Sequence, residues 1–251
     1  MRNTGIKILC LFAAFMIMVG CAAKVDNSSN TVFTNSRAAA EINVKLGVFY
    51  MQKGQMQRAK HKLLLALDQA PDYSAAQSAM GYYLEKVGEI KKAEEYYLKA
   101  ISLNAESGDV QNNYGTFLCR QGRYKESLKR FILATEDPNY LNSAGAYENA
   151  GICALKIPEF KRAEKYFSKA LKYDSNLPSA LFEVSKLQYR EGDYKKAYSS
   201  LHKLLTNTGA ELSSEVLHFC VKLSRRIGNK RLTADCSAKL AALSVDKKAK
   251  S

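Results

Sequence analysis

The run Asn112-Asn113-Tyr114-Gly115-Thr116-Phe117-Leu118-Cys119-Arg120-Gln121-Gly122-Arg123-Tyr124 carries two glycines, Gly115 and Gly122. Each has a counterpart 34 residues earlier, Gly81 and Gly88, and another 34 before that, Gly47 and Gly54. Downstream, the first series continues at Gly151 after a step of 36, and the second resumes at Gly192. Small residues keep the same phase at Ala59, Ala93, Ser127, Ala163 and Ala197. Bulky residues keep it at Leu63, Tyr97, Phe131, Phe167 and Leu201, and alanines at Ala66, Ala100, Ala134 and Ala170. Small and large series locked in one phase define an internal repeat of 34 residues.

This pattern resembles the tetratricopeptide repeat (TPR), a helix–turn–helix unit. The resemblance implies an all-α, right-handed superhelical solenoid of about six repeats. The small residues let the A and B helices of a unit approach, and the bulky residue fills the space they leave. The glycine of the second series suits the turn between the helices, where a positive backbone angle costs it little. The frames are 40–73, 74–107, 108–141, 144–177 and 178–211, with Asn142 and Ser143 inserted before the fourth and a degenerate sixth unit at 212–245. Pro71 closes the first repeat, and Pro158 replaces the turn glycine of the fourth, so that turn is expected to differ. The Trp usual near the start of each unit is absent; Asn43, Gln77, Gln111, Tyr147 and Leu181 stand there. No unit buries its own core, so stacking makes one cooperative solenoid rather than several domains.

Ahead of the repeats, residues 1–20 read as a signal peptide, with Arg2 and Lys7 before an apolar run from Ile8 to Val19. The run ends Met18-Val19-Gly20-Cys21, which resembles a bacterial lipobox. That resemblance implies lipidation of Cys21, and with Ala22 following it, sorting to the outer membrane of a Gram-negative host. The competing reading is an ordinary secretory signal with an incidental Cys. Residues 21–39 are read as the lipidated Cys and a flexible polar tether, and residues 246–251 as a basic tail.

The chain has 38 Lys and Arg against 24 Asp and Glu, a net charge of +14. Half of what remains after the signal peptide lies in residues 212–251, which hold nine Lys and Arg and three acids. A lipid-anchored periplasmic protein would meet no nucleic acid, so the basic end is read as facing anionic head groups, an acidic partner surface, or solvent.

Repeat folds of this type bind protein segments along the A helices. The groove positions give Val44 and Val48 in repeat one and Tyr82 in repeat two, with Glu85 and Lys86 beside it. Repeat three gives Asn112, Thr116, Cys119 and Arg120, and repeat four Glu148 and Ile152. Repeat five gives Phe182, Lys186 and Tyr189. An apolar thread through Val48, Tyr82, Ile152, Phe182 and Tyr189 suits a segment with apolar anchors. The competing reading for any one of them is packing between neighbouring A helices. Asn113 and Asn149 share one position in successive repeats; their amides either meet a ligand backbone or bond a neighbouring loop.

Beyond Cys10 and Cys21, four cysteines remain, and an exported chain admits three pairings of them. Cys119 and Cys153 fall on adjacent A helices, where a bridge is geometrically reasonable. Cys220 and Cys236 fall on the sixth unit, either bridged or as two buried thiols. Zinc is disfavoured, since there is no CxxC and His218 is poorly spaced from Cys220. His61, His202 and His218 sit at unrelated phases, and no phosphate loop or nucleophile elbow is present, so the reading is of a non-enzyme without cofactor, metal or small-molecule substrate.

The opening run is more specific than the repeat. With Asp137-Pro138, Tyr140 and Glu148-Asn149-Ala150-Gly151-Ile152-Cys153, the lipobox and the six-repeat length, the chain resembles the type IV pilus biogenesis and stability lipoproteins, the PilF/PilW family. That resemblance implies an outer-membrane pilotin that brings secretin subunits to the outer membrane and promotes their multimerisation. It also places a disulfide at the positions of Cys119 and Cys153. Two further readings are a TPR lipoprotein adaptor for cell-wall enzymes or outer-membrane protein assembly, and a non-lipidated soluble periplasmic accessory protein.

Overall fold

A computed structural model describes residues 28–207 and 212–249; Cys21 and the expected signal peptide lie outside the described residues. These residues form twelve helices and no strand. The A helices are α1 (Ser28–Gln52), α3 (Ser74–Lys86), α5 (Gly108–Arg120), α7 (Ser143–Ala154), α9 (Pro178–Arg190) and α11 (Ser214–Arg226). The B helices are α2 (Met56–Gln69), α4 (Ile90–Leu103), α6 (Tyr124–Ala134), α8 (Phe160–Tyr173), α10 (Tyr194–Asn207) and α12 (Lys230–Ala249). Each A helix packs antiparallel on the B helix that follows and beside the A helix of the next unit, giving the superhelical TPR solenoid.

The two glycine series serve different physical needs. At Gly115 a β-carbon would sit 2.9 Å from the Phe131 ring, and at Gly151 2.7 Å from Phe167. These glycines exist for close approach. Gly122 has open space around it but φ of +78°, so it exists for the left-handed turn. The helix partners of the first series are fully buried: Leu63, Tyr97, Phe131, Phe167 and Leu201. Burying a ring such as Phe131 is worth about 2–3 kcal/mol. The serines in these series keep their hydroxyls satisfied across the helix pair. Ser127 donates to the Gly115 carbonyl at 2.7 Å, and Ser185 to the Ala197 carbonyl at 2.6 Å.

The missing Trp is replaced by amide chemistry. Gln77 and Gln111, both buried, donate to the carbonyls of Pro71 and Ala105, at 2.7 and 2.5 Å. Each therefore ties an A helix to the loop that closes the preceding unit. In repeat four α7 ends at Ala154, two residues before the end that α5 reaches at the matching position. Pro158 can neither donate an N–H nor follow a helical residue easily, so the helix stops early.

Two boundaries differ from the sequence reading. The first helix reaches back to Ser28, into the stretch expected as a tether, and α12 runs to Ala249, into the expected tail. No Gly or Pro lies between residues 22 and 46, and Ala38-Ala39-Ala40 favour helix, so nothing stops α1 from extending upstream.

Candidate peptide-binding groove

The A helices line one face. On α3 and α5, Arg120 spans the junction of repeats two and three. Its Nε and Nη2 reach the Glu85 carboxylate at 2.5 and 2.6 Å. Its guanidinium lies 5.7 Å from the Tyr82 ring centre, with Lys86 5.3 Å from the same ring. The Glu85 side chain is 9% exposed and that of Arg120 44%. Tyr97 donates from beneath to Glu85 at 3.4 Å, and its burial, reinforced by the Glu85 charge, pushes its hydroxyl pKa far up. Tyr82 and Arg120 thus present a fixed ring and a fixed cation to the groove.

The two asparagines bond the preceding A helix rather than a neighbouring loop. Asn113 donates to Ser78 Oγ at 3.2 Å, and Asn149 to Asn112 Oδ1 at 3.0 Å. In both cases the amide reaches one position back on the preceding A helix, so it joins α3 to α5 and α5 to α7. The reason is stacking: successive A helices run side by side, and these positions face each other. Beside this ladder, Cys119 and Cys153 form a disulfide between α5 and α7, with α-carbons 5.9 Å apart. Cys220 and Cys236 form a second, between α11 and α12, at 6.2 Å.

The apolar thread divides. Val44, Val48 and Tyr82 are half-buried against the core of repeats one and two. Phe182 is buried, its ring 5.7 Å from Phe219 on α11, so it is a packing residue between A helices rather than an open anchor. Ile152 stays 39% exposed, with Thr116 and Glu148 half-exposed near it in the middle of the groove. Farther on, Tyr189 packs edge-on to Phe219 at 5.6 Å and carries Lys222 at 4.9 Å from its ring. Lys186 lies 4.4 Å from the Phe182 ring and pairs with Glu183 at 2.7 Å and Glu215 at 3.2 Å.

Sequence reasoning missed Glu215, Phe219 and Lys222 as part of this surface. Gly228, at φ +72°, makes the turn of the sixth unit and stands 36 residues after Gly192. That step would have shifted the frame of the last unit by two and placed His218, Lys222, Arg225 and Arg226 on the groove face. The arrangement offers rings, fixed charges and amides, which suits holding a protein segment. Among the described residues no group of three or more His, Cys, Asp and Glu is arranged to hold a metal ion. No described helix is long and apolar enough to cross a membrane.

Residues 40–73 and 75–107 match the tetratricopeptide repeat family. The chain is 30% identical over 192 residues to the type IV pilus assembly protein PilF of Pseudomonas aeruginosa, covering 76% of each sequence. It is 35% identical over 162 residues to an uncharacterised Haemophilus influenzae protein, covering 59% of this chain and 89% of that one. The solved structure of P. aeruginosa PilF superposes with a TM-score of 0.75 at 29% identity, covering 83% of this chain and 93% of that chain. That of PilW, a type IV pilus biogenesis factor, superposes with a TM-score of 0.69 at 27% identity, covering 81% and 92%.

Proposed function

The chain belongs to the PilF/PilW family of TPR proteins of type IV pilus biogenesis, and from that premise we propose that it is an outer-membrane pilotin. In this reading Cys21 carries the lipid, the solenoid faces the periplasm, and the A-helix groove holds a segment of the pilus secretin. Binding brings secretin subunits to the outer membrane and promotes their multimerisation. The observation that carries the reading is the likeness to PilF along three quarters of the chain. The Met18-Val19-Gly20-Cys21 segment supports the lipid anchor. The half-buried Tyr82 with the exposed Arg120 and Ile152 supports a groove that grips an extended or helical segment.

Co-purification tests the binding step. Detergent-solubilised full-length protein is expected to retain the secretin, and Tyr82→Ala with Ile152→Asp to lose it. Secretin retained equally by that variant would exclude the groove as the binding surface. Palmitate labelling abolished by Cys21→Ser would support the anchor, and labelling that persists would exclude Cys21.

A further inference from the structure

We propose that the C-terminal end of the solenoid is a second binding site, a receptor for one amphipathic helix of a partner protein with an acidic residue in its first turn. Between α11 and α12 lies an open trough of about 1080 Å³. Leu212, Val221, Leu240 and Leu243 supply its apolar lining, and Lys222 and Arg225 its basic side. The repeat itself explains the trough. On α9, Phe182 and Tyr189 form the seat on which α11 rests, through Phe219 at 5.7 and 5.6 Å. The residues 36 positions later, His218 and Arg225, line the trough in the same way. Among the described residues no helix packs on this seat.

The same junction predicts the charge of the occupant. Lys186 on α9 receives Glu215 from the first turn of α11 at 3.2 Å. Lys222 stands 36 residues after Lys186, and among the residues whose side chains are described neither Lys222 nor Arg225 forms an ion pair with a carboxylate. An incoming helix with an acid at the position of Glu215 completes this pair. The basic excess of residues 212–251 acts in the same direction.

Two other occupants fit less well. The first helix of a second copy exposes Ile42 and Phe49 and carries Glu41 at the position of Glu215, but Glu41 is already paired with Lys45 at 2.6 Å, and Lys45, at the position of Phe219, would come against His218 and Arg225. A bilayer presents a broad surface, and a trough walled by two helices admits a rod and not a plane. This site lies at the C-terminal end of the A-helix face, shares His218, Lys222 and Arg225 with it, and does not depend on the pilotin reading.

The test uses the full-length protein and a labelled synthetic helical peptide with Glu at its second position, Phe at its sixth and Leu along the same face. Fluorescence anisotropy is expected to show saturable binding. Lys222→Glu should weaken it by about tenfold, and a peptide with Lys in place of that Glu should recover most of the loss. Ala241→Arg, which fills the trough, should abolish binding. Both positions are exposed, so circular dichroism melts are expected to match the unaltered chain. Absence of saturable binding, or binding indifferent to both substitutions, overturns the proposal. Self-association on sedimentation that Ala241→Arg abolishes overturns it in favour of a second copy. Binding to phosphatidylglycerol vesicles that Ala241→Arg abolishes overturns it in favour of a membrane.

Discussion

The Asn149 amide donates to Asn112 across 3.0 Å, joining the same two helices, α5 and α7, that the Cys119–Cys153 disulfide joins covalently. The junction of repeats three and four is thus held twice, by a polar contact and by a bridge, next to the two-residue insertion that interrupts the repeat. Closing a 34-residue loop removes about 3–4 kcal/mol of unfolded-chain entropy. Replacing both Cys119 and Cys153 with Ser is expected to lower stability by about 2–4 kcal/mol in denaturant titrations. Comparison with the Cys220→Ser, Cys236→Ser variant separates the two bridges, and mass mapping without reductant should link the peptides of Cys119 and Cys153. Asn149→Ala should cost about 1 kcal/mol.

The two glycine series predict opposite rescue behaviour. Gly122→Ala is expected to cost about 1–2 kcal/mol because an alanine is strained at positive φ. Gly122→Asn should recover part of that, since Asn tolerates the left-handed region. Gly115→Ala should cost about 1–3 kcal/mol through overpacking against Phe131. Gly115→Asn should be worse, not better. Urea midpoints on the four variants decide it.

Arg120→Ala should cost about 1 kcal/mol, because Arg120 is well exposed while Glu85 beneath it loses its counter-ion and keeps only the Tyr97 hydroxyl. Glu85→Gln with Arg120→Gln should recover most of that loss. If the groove binds as proposed, the double variant regains stability but not secretin retention, which thermal melts and co-purification measure side by side.

Asp137 gives a pH signature. Its carboxylate accepts from the backbone N–H of Gly108 and of Asn139, both at 2.8 Å, and these bonds hold its pKa below the ordinary 3.8. A depressed folded pKa contributes stability above the unfolded value that is lost as pH falls through the folded one. Asp137→Ala is therefore expected to melt earlier than the unaltered chain at neutral pH, with the gap closing as pH drops below about 3.8. Asp109, whose pKa burial raises with a further contribution from Asp137, should titrate lower in the same variant.

Much of this fold was legible because a solenoid writes its packing rule several times. Gly115, Ser127, Phe131 and Ala134 each have counterparts, and agreement among repeats replaces what a single unit could not establish. The altered turn at Pro158 was legible for the same reason, as a departure from a rule. What failed lay at the ends and between the helices. Residues 28–39 are polar enough to read as tether, yet helical continuity from Ala38-Ala39-Ala40 prevails. The sixth unit was framed by a step of 34 where the chain takes 36 from Gly192 to Gly228, which hid Lys222 and Phe219. Asn113, Asn149 and Phe182 sit at groove positions by count, and their contacts with the neighbouring A helix could not be read, because no single repeat contains that neighbour.

The measurement that tests the central claim most directly is the secretin multimer band on a non-denaturing blot of outer membranes from a strain lacking this gene. The pilotin reading predicts that the multimer is lost, that the intact gene restores it, and that a gene carrying Cys21→Ser does not restore it to the outer membrane. Normal multimers and normal twitching in the deletion strain would contradict it.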